Sequence, residues 1–132
     1  MTYVSTKLRC YSGIIRLYYE DEQFIKAWSF EDIKNTVYRW FSIEKREINV
    51  IVSNLETSFY HRENITYGRT ESDNIIEEPI VRIYGEIIRP DITDDNIKEE
   101  LISLFSFLSS ELKQKCQFYF QGYRENAYIR LC

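Results

Sequence analysis

The stretch that decides the fold is Thr93–Lys115, TDDNIKEELISLFSFLSSELKQK. An α-helix turns about 100° per residue. This rotation gathers the apolar side chains into a stripe about 100° wide, as in a helix that packs on a core. The side chains in the stripe are Ile97, Leu101, Leu104, Phe105, Leu108 and Leu112. Thr93 or Asp94 can cap the N-terminus, because a side-chain oxygen there accepts a backbone N–H. We therefore predict a long amphipathic helix.

Two apolar residues of this helix, Ile102 and Phe107, lie beyond the edges of the stripe. They can pack against neighbouring loops or the flanks of a sheet. Alternatively, one of them belongs to a surface that binds a partner. We include Phe107 among the candidate partner-binding residues for this reason.

A second, shorter helix is predicted at Ser29–Ile43. Ser29 and Asp32 have the spacing of a capping box, in which each side chain accepts a backbone N–H of the other residue. Apolar residues follow at helical spacing. They are Phe30, Ile33, Val37 and Phe41. We expect this helix to share with the first one the task of covering a sheet.

Several segments have the composition and period of β-strands. Apolar residues alternate with polar ones, or β-branched and aromatic residues cluster, in residues 47–54, 80–88, 116–121 and 127–131. These segments predict four strands, of which the second has apolar residues on both faces.

The remaining segments predict hairpins and a loop. Residues 3–19 predict a hairpin, because Ser12-Gly13 is a turn signal between two apolar runs. Residues 57–67 predict two short aromatic strands around a polar tip. Arg69–Glu78 has neither a helical nor a strand period, and we predict an exposed acidic loop there.

The order of these elements predicts an α+β protein in which residues 1–132 form one domain. We expect an antiparallel sheet of five to seven strands with both helices packed on one face. Two strand–helix–strand units are visible, which makes a ferredoxin-like sheet one arrangement. A plain meander sheet that carries two helices is the alternative.

The cysteines and the apolar runs bear on the compartment. Three widely spaced cysteines, Cys10, Cys116 and Cys132, form neither a disulfide framework nor a zinc pattern. Reduced thiols are typical of the cytoplasm. We find neither a signal peptide nor an apolar run long enough to span a membrane. We therefore predict a cytoplasmic protein. The scarcity of Gly, Pro and Ala, which have GC-rich codons, indicates a bacterial or phage genome rich in AT.

Charge is distributed unevenly along the chain, whose net charge is −4. Residues 71–100 contain ten acidic and three basic residues, and the remainder has a net charge of +3. A nucleic-acid partner is not expected, because Lys and Arg form no concentrated stripe. An acidic segment can speed the encounter with a basic protein surface. A solvated loop followed by an acidic helix start explains the same pattern.

The sequence contains no motif that indicates catalysis or a bound cofactor. His61, the one histidine, lies in a predicted hairpin tip and has no recognisable nucleophile beside it. The acidic run in residues 91–96 lacks the glycine and the terminal glutamate of an EF-hand loop. The glycines stand too far apart for a phosphate-binding loop. We therefore predict neither a metal nor a cofactor.

The main functional prediction is a binding module that has no chemistry of its own. Such a protein would act as an inhibitor, an immunity-type protein or a phage anti-defence factor by covering another protein with a basic surface. The candidate partner-binding residues are acidic or aromatic. They are Tyr60, Tyr67, Glu71, Asp73, Glu77, Glu78 and Phe107.

Two other hypotheses compete with this prediction. One is a sensor domain, either monomeric or homo-oligomeric, that binds a small ligand or nucleotide. Its pocket would lie at a sheet edge or subunit boundary and be lined by Tyr and Arg, since aromatic rings stack on bases. The candidate residues of this pocket are Tyr119, Tyr123 and Arg124. The other is an enzyme that uses Tyr, Arg and Glu side chains, with His61, Tyr123 and Arg124 as the residues to test. An enzyme is the less expected outcome.

Overall fold

The computed structural model describes residues 7–20, 25–54, 56–66 and 69–131 of the 132-residue chain. Within these ranges the chain forms eight strands and two helices. In chain order they are β1 (Arg9–Arg16), β2 (Tyr18–Glu20), β3 (Ile25–Ala27), α1 (Phe30–Glu44), β4 (Ile51–Val52), β5 (Glu56–Thr66), β6 (Arg69–Ile87), α2 (Asp94–Glu111), β7 (Gln117–Gln121) and β8 (Asn126–Arg130). Both predicted helices are confirmed.

Six of these strands form one antiparallel sheet. Its order is β4-β6-β1-β7-β8, and β5 pairs with β6 beside β4. Four of the strands, with the two helices between them in the chain, have the β-α-β-β-α-β connectivity of a ferredoxin-like unit. β2 and β3 pair separately as a short ribbon. The predicted α+β fold with an antiparallel sheet and two helices is confirmed.

Both helices bury their apolar stripes in one core on a single face of the sheet. Every side chain of the predicted α2 stripe is buried. Phe105 of α2 stacks on Phe118 of β7 at a centroid distance of 4.6 Å and meets Tyr11 of β1 edge-on at 6.3 Å. Alternate residues of β1 are buried beneath the helices. They are Arg9, Tyr11, Gly13 and Ile15. The other face of the sheet is left uncovered by the helices.

The helix ends follow the sequence signals. Ser29 Oγ accepts the backbone N–H of Asp32, and the Asp32 carboxylate accepts that of Ser29, which completes the predicted capping box. Thr93 is the cap of α2, since its hydroxyl accepts the N–H of Asn96 at 3.2 Å. Neither helix of the described residues is long and apolar enough to cross a membrane.

The turn predicted at Ser12-Gly13 is wrong, because β1 runs through it as one strand. Gly13 permits a close contact instead of a turn. A Cβ atom there would lie 2.4 Å from the Phe105 ring and 3.0 Å from the Gln117 carbonyl oxygen. Glycine inside a strand has this second use wherever another group approaches the backbone. The predicted first strand begins at residues 3–6, which are outside the described residues.

The acidic loop predicted at Arg69–Glu78 is also wrong. These residues begin β6, which pairs with β5 in a long antiparallel ribbon. Phe59 and Tyr60 are neighbours in β5 and are both exposed, so neither face of the ribbon is covered there. An uncovered ribbon lacks the alternation that marks a half-buried strand. The two short strands predicted around a tip in residues 57–67 are one strand, β5, and His61 lies within it opposite Ile75.

Candidate functional site

The sheet face opposite the helices, called here the open face, carries the other alternate side chains of the strands. Among those of the two central strands are Cys10, Ser12, Ile14, Arg82, Tyr84 and Glu86. Ser12 lies between Tyr84 on β6 and Tyr119 on β7. Tyr128 of β8 lies beside Tyr119. A row of aromatic and polar side chains therefore crosses the open face.

A groove of about 600 Å³ opens on this face among β1, β4, β5 and β6. Its volume is within the range of roughly 300–1,000 Å³ that is usual for small-molecule sites. The side chains that offer rings, charges or polar atoms to a ligand are Cys10, Ser12, Asn49, Glu56, Arg82, Tyr84 and Glu86. The groove is therefore the first candidate for a ligand site.

The floor of the groove is held by Tyr11 and the segment before β4. The Tyr11 hydroxyl donates a 2.7 Å hydrogen bond to the backbone carbonyl of Asn49. Burial raises the pKa of Tyr11 well above its usual value, which keeps the phenol protonated even in alkaline solution. Gly85 permits this approach, because a Cβ atom there would lie 2.2 Å from the same carbonyl oxygen. Asn49 is thereby fixed at the rim.

Charged side chains stand in the wall of the groove. Arg82 Nε lies 3.2 Å from Glu56 Oε2, and the two side chains are 45% and 41% exposed. Ser53 holds the backbone of Arg82: its hydroxyl accepts the Arg82 N–H at 2.9 Å, and its N–H donates to the Arg82 carbonyl at 3.0 Å. Glu86 is exposed and forms no ion pair with a described residue. Two carboxylates and one guanidinium give the groove a net negative charge, which favours a cationic ligand.

A second cleft, of about 560 Å³, lies at the N-terminus of α2 beside the turn between β7 and β8. Arg9 is completely buried there and donates to the carbonyls of Arg89 at 2.5 Å and Ile92 at 2.7 Å. Its guanidinium also pairs with Asp94 at 3.1 Å and lies 4.0 Å from the centroid of the Tyr123 ring. One side chain thus joins the starts of β1 and α2 to the turn.

Asp94 takes part in the same set of contacts between β1, α2 and the turn. Its carboxylate accepts the backbone N–H groups of Tyr123 at 3.2 Å and Arg124 at 3.0 Å. Burial raises the pKa of Asp94, but these hydrogen bonds and the Arg9 guanidinium outweigh burial and hold the pKa below its usual value. Gly122 makes room, since a Cβ atom there would lie 2.5 Å from an Asp94 oxygen. Most of these polar groups bind each other, but the buried Nε of Arg9 has no hydrogen-bond partner among the described residues.

The structure does not bring together the residues predicted for a ligand pocket. Tyr123 and Arg124 line the second cleft, whereas Tyr119 lies on the open face next to Ser12. His61, which was considered for an enzyme, is an exposed residue of β5. The second cleft therefore has Tyr and Arg in its lining, as predicted for a ligand pocket. Tyr119 is not part of that cleft.

Most residues predicted to bind a protein partner lie in the ribbon of β5 and β6. Tyr60 belongs to β5, and Glu71, Asp73, Glu77 and Glu78 belong to β6. Glu78 forms an ion pair with Arg16 of β1. Tyr67 is outside the described residues. The acidic segment is thus part of a paired strand rather than a separate loop.

Phe107 lies on the helical side of the molecule. It is half-buried and packs against the core, and the guanidinium of Arg39 lies 5.8 Å from the centroid of its ring. The first of its two interpretations, packing against neighbouring elements, agrees with this position.

Sequence reasoning missed the groove, although β6 contained a signal. Arg82, Tyr84 and Glu86 alternate with buried residues, so three polar or aromatic side chains share one face. Glu56 and Asn49 carry no comparable signal. Their position depends on how β4 and β5 pair with β6, which the sequence does not specify locally.

Comparisons with known proteins identify the fold. No protein-family model matches the sequence, and no curated protein matches it. Two solved structures are similar, and both have a TM-score of 0.59. One is a phage SAM lyase in complex with S-methyl-5′-thioadenosine, 12% identical, with 98% of this chain and 95% of that chain covered. The other is a phage SAM lyase in the apo state, 13% identical, with coverage of 98% and 94%. At this identity the likeness is one of fold.

These two structures overturn the main functional prediction, a module that covers another protein and has no chemistry. Both are structures of an enzyme, and one contains a small nucleoside thioether. They also contradict the expectation that the protein is not an enzyme. The alternative prediction of a small-ligand or nucleotide site agrees better with them, and no protein partner is indicated. Both similar structures are of phage proteins. A phage genome was one of the two sources predicted from the sequence.

Proposed function

We propose that this chain is an enzyme that cleaves S-adenosylmethionine without water and releases S-methyl-5′-thioadenosine. We assign the substrate to the groove on the open face. The observation that carries the proposal is the likeness, over 98% of this chain, to a phage SAM lyase that holds S-methyl-5′-thioadenosine. Because it extends over nearly the whole chain, the likeness concerns the complete arrangement of sheet and helices rather than one recurring motif.

The substrate determines what the site must accommodate. S-Adenosylmethionine has a sulfonium, an α-ammonium and an α-carboxylate, so its net charge is positive. When the bond between sulfur and the aminobutyrate carbon breaks, the electron pair stays on sulfur and a neutral thioether leaves. The carbon either bonds to the substrate's own carboxylate oxygen, which closes a lactone, or loses a neighbouring proton to a base, which forms an alkene.

The groove suits a cationic nucleoside. Tyr84 offers the face of a ring, on which adenine can stack and which attracts a sulfonium cation. Glu56 and Glu86 outnumber Arg82 among the charged residues of the wall. The wall therefore attracts the cationic substrate more strongly than the neutral thioether, which favours release of the product.

The apolar side chains on and beside the open face support a homo-oligomer as part of this proposal. The exposed ones are Leu8, Ile14, Ile51, Ile88, Tyr119 and Tyr128. Monomeric proteins seldom expose a large contiguous apolar patch. A second copy over this face would close the groove against water. The substrate site would then lie at a subunit boundary.

Turnover by the purified protein tests the proposal. Protein incubated with S-adenosylmethionine is expected to produce S-methyl-5′-thioadenosine, as detected by liquid chromatography with mass spectrometry. S-Adenosylhomocysteine is the matched control and should remain intact, because its neutral sulfur is a poor leaving group. NMR identifies the co-product, since the lactone and the alkene are isomers. If the folded protein neither turns over S-adenosylmethionine nor binds S-methyl-5′-thioadenosine, the proposal is overturned.

A further inference from the structure

Arg82 and Glu56 form an ion pair in the wall of the groove, and the stability of the fold does not explain why the pair is there. Both side chains are substantially exposed, and exposed ion pairs add little to stability. We infer that this pair is the subsite for the amino-acid end of the substrate, in which Arg82 binds the α-carboxylate and Glu56 binds the α-ammonium. The inference rests on the proposed function, because it assigns one end of that substrate.

The free atoms of the pair match the two charges of an amino acid. Arg82 uses only Nε for Glu56, and neither of its terminal nitrogens bonds to a described residue. Those two nitrogens form the fork that binds a carboxylate through parallel hydrogen bonds. Oε1 of Glu56 bonds to no described residue, and a carboxylate oxygen readily accepts from an ammonium group. A zwitterion added to the pair gives every charge an opposite neighbour.

The backbone holds Arg82 in place before any ligand arrives. Both its N–H and its carbonyl bond to Ser53, which lies between the end of β4 and the start of β5. Both of those strands pair with the same edge of β6, with Val52 opposite Ile83 and Glu56 opposite Ile80. Arg82 therefore stands at the junction of the two ladders. The backbone bonds and the ion pair with Glu56 together pre-position the guanidinium, which then loses less conformational entropy on binding.

The direction of the ligand in the groove follows from the order of residues along β6. Arg82, Tyr84 and Glu86 share the open face, and alternate residues of a strand are about 7 Å apart. Among the described residues that line the groove, Arg82 alone carries a positive charge. The α-carboxylate therefore belongs at the Arg82 end. The sulfur would then lie near Tyr84, and the adenosine would extend towards Glu86 and Asn49.

Calorimetric titration with two ligands separates this subsite from the rest of the groove. S-Adenosylhomocysteine has the amino-acid end, and S-methyl-5′-thioadenosine lacks it. For Arg82→Ala we expect the affinity for S-adenosylhomocysteine to fall about tenfold or more, because a carboxylate loses charge-assisted hydrogen bonds. The affinity for S-methyl-5′-thioadenosine should stay within about twofold of the unmodified protein, as is usual for a change outside a contact. Glu56→Gln should show the same selectivity with a smaller loss.

The matched control is Arg39→Ala, which removes the exposed Arg39–Glu111 pair on the helical side. It should change the affinity for neither ligand. The inference is overturned if Arg82→Ala weakens both ligands equally or weakens neither. Retained binding of S-methyl-5′-thioadenosine by the variant shows that it is folded. If the unmodified protein binds neither ligand, the proposed function fails, and the inference fails with it.

Discussion

The hydroxyl of Tyr11 donates a 2.7 Å hydrogen bond to the backbone carbonyl of Asn49. Tyr11 is buried in the core between sheet and helices, whereas Asn49 lies at the rim of the groove on the open face. The bond passes close to Gly85, the residue opposite Tyr11 on β6. This contact connects the core to the rim of the groove.

Gly85→Ala should destabilise the protein by about 1–3 kcal/mol, because the new methyl group overpacks a well-filled site. It would meet a backbone carbonyl at 2.2 Å and the Tyr11 ring at 2.9 Å, and neither can move freely. Tyr11→Phe is the milder companion, with a loss of about 1 kcal/mol for one hydrogen bond. Urea denaturation measures both. Wild-type stability of Gly85→Ala would contradict the close approach.

Asp94 should make the stability of the protein depend on pH in the acid range. Its folded-state pKa is below the ordinary value of 3.8. The stability that it contributes is therefore present above the unfolded-state pKa and is lost as the pH falls through the folded-state pKa. Asp94→Asn should be less stable than the wild type near pH 7, and the difference should shrink below about pH 4. Urea denaturation at several pH values measures this difference.

The control for this prediction is Asp95→Asn, which alters an exposed carboxylate in the same first turn of α2. Its loss of stability should be smaller, because Asp95 is not bound to Arg9 or to the turn after β7. A difference between Asp94→Asn and the wild type that is constant from neutral to acid pH would contradict the role assigned to Asp94.

The α2 stripe and the Ser29 cap could be read from the sequence because both are local. Helical periodicity and a capping box need only residues within a few turns of each other. The pairing of Arg9 with Asp94 in the second cleft could not be predicted in this way. Arg9 and Asp94 are 85 positions apart, and nothing near either of them in the sequence indicates the pairing.

The groove illustrates a different limit. The alternation of residues along β6 puts Tyr84 on the face opposite Val81 and Ile83. That face became a candidate site only when β4 and β5 were seen to share one edge of β6, which brings Glu56 to Arg82. Strand pairing of this kind is decided by contacts distant in the sequence.

The thiols of Cys10 and Cys116 should react very differently with iodoacetamide. Burial raises the pKa of Cys116 to about 12, and a hydrogen bond with Ser109 offsets this only in part. The reactive thiolate of Cys116 is therefore scarce near pH 8. Cys10 is half-buried and lines the groove. We expect labelling of Cys10 in the folded protein and of Cys116 only after unfolding, as measured by mass spectrometry of peptides.

Ligand protection extends the same experiment. S-Methyl-5′-thioadenosine at a saturating concentration should slow the labelling of Cys10, because a ligand in the groove covers the thiol. Cys116 labelling in urea serves as the unprotected reference. Equal labelling rates of Cys10 with and without bound ligand would contradict the placement of the ligand in the groove.

Two tyrosines, one in each cavity, provide the most direct test of the account. Steady-state cleavage of S-adenosylmethionine should be compared for Tyr84→Ala and Tyr123→Ala, with circular dichroism to confirm that each variant is folded. Tyr84→Ala should lower kcat/KM by about tenfold or more, because the groove loses the ring beside which we place the sulfonium. Tyr123→Ala should remain within about threefold of the wild type, since its ring packs on Arg9 outside the groove. Unchanged kcat/KM for Tyr84→Ala, or a loss confined to Tyr123→Ala, would contradict the assignment of catalysis to the open face.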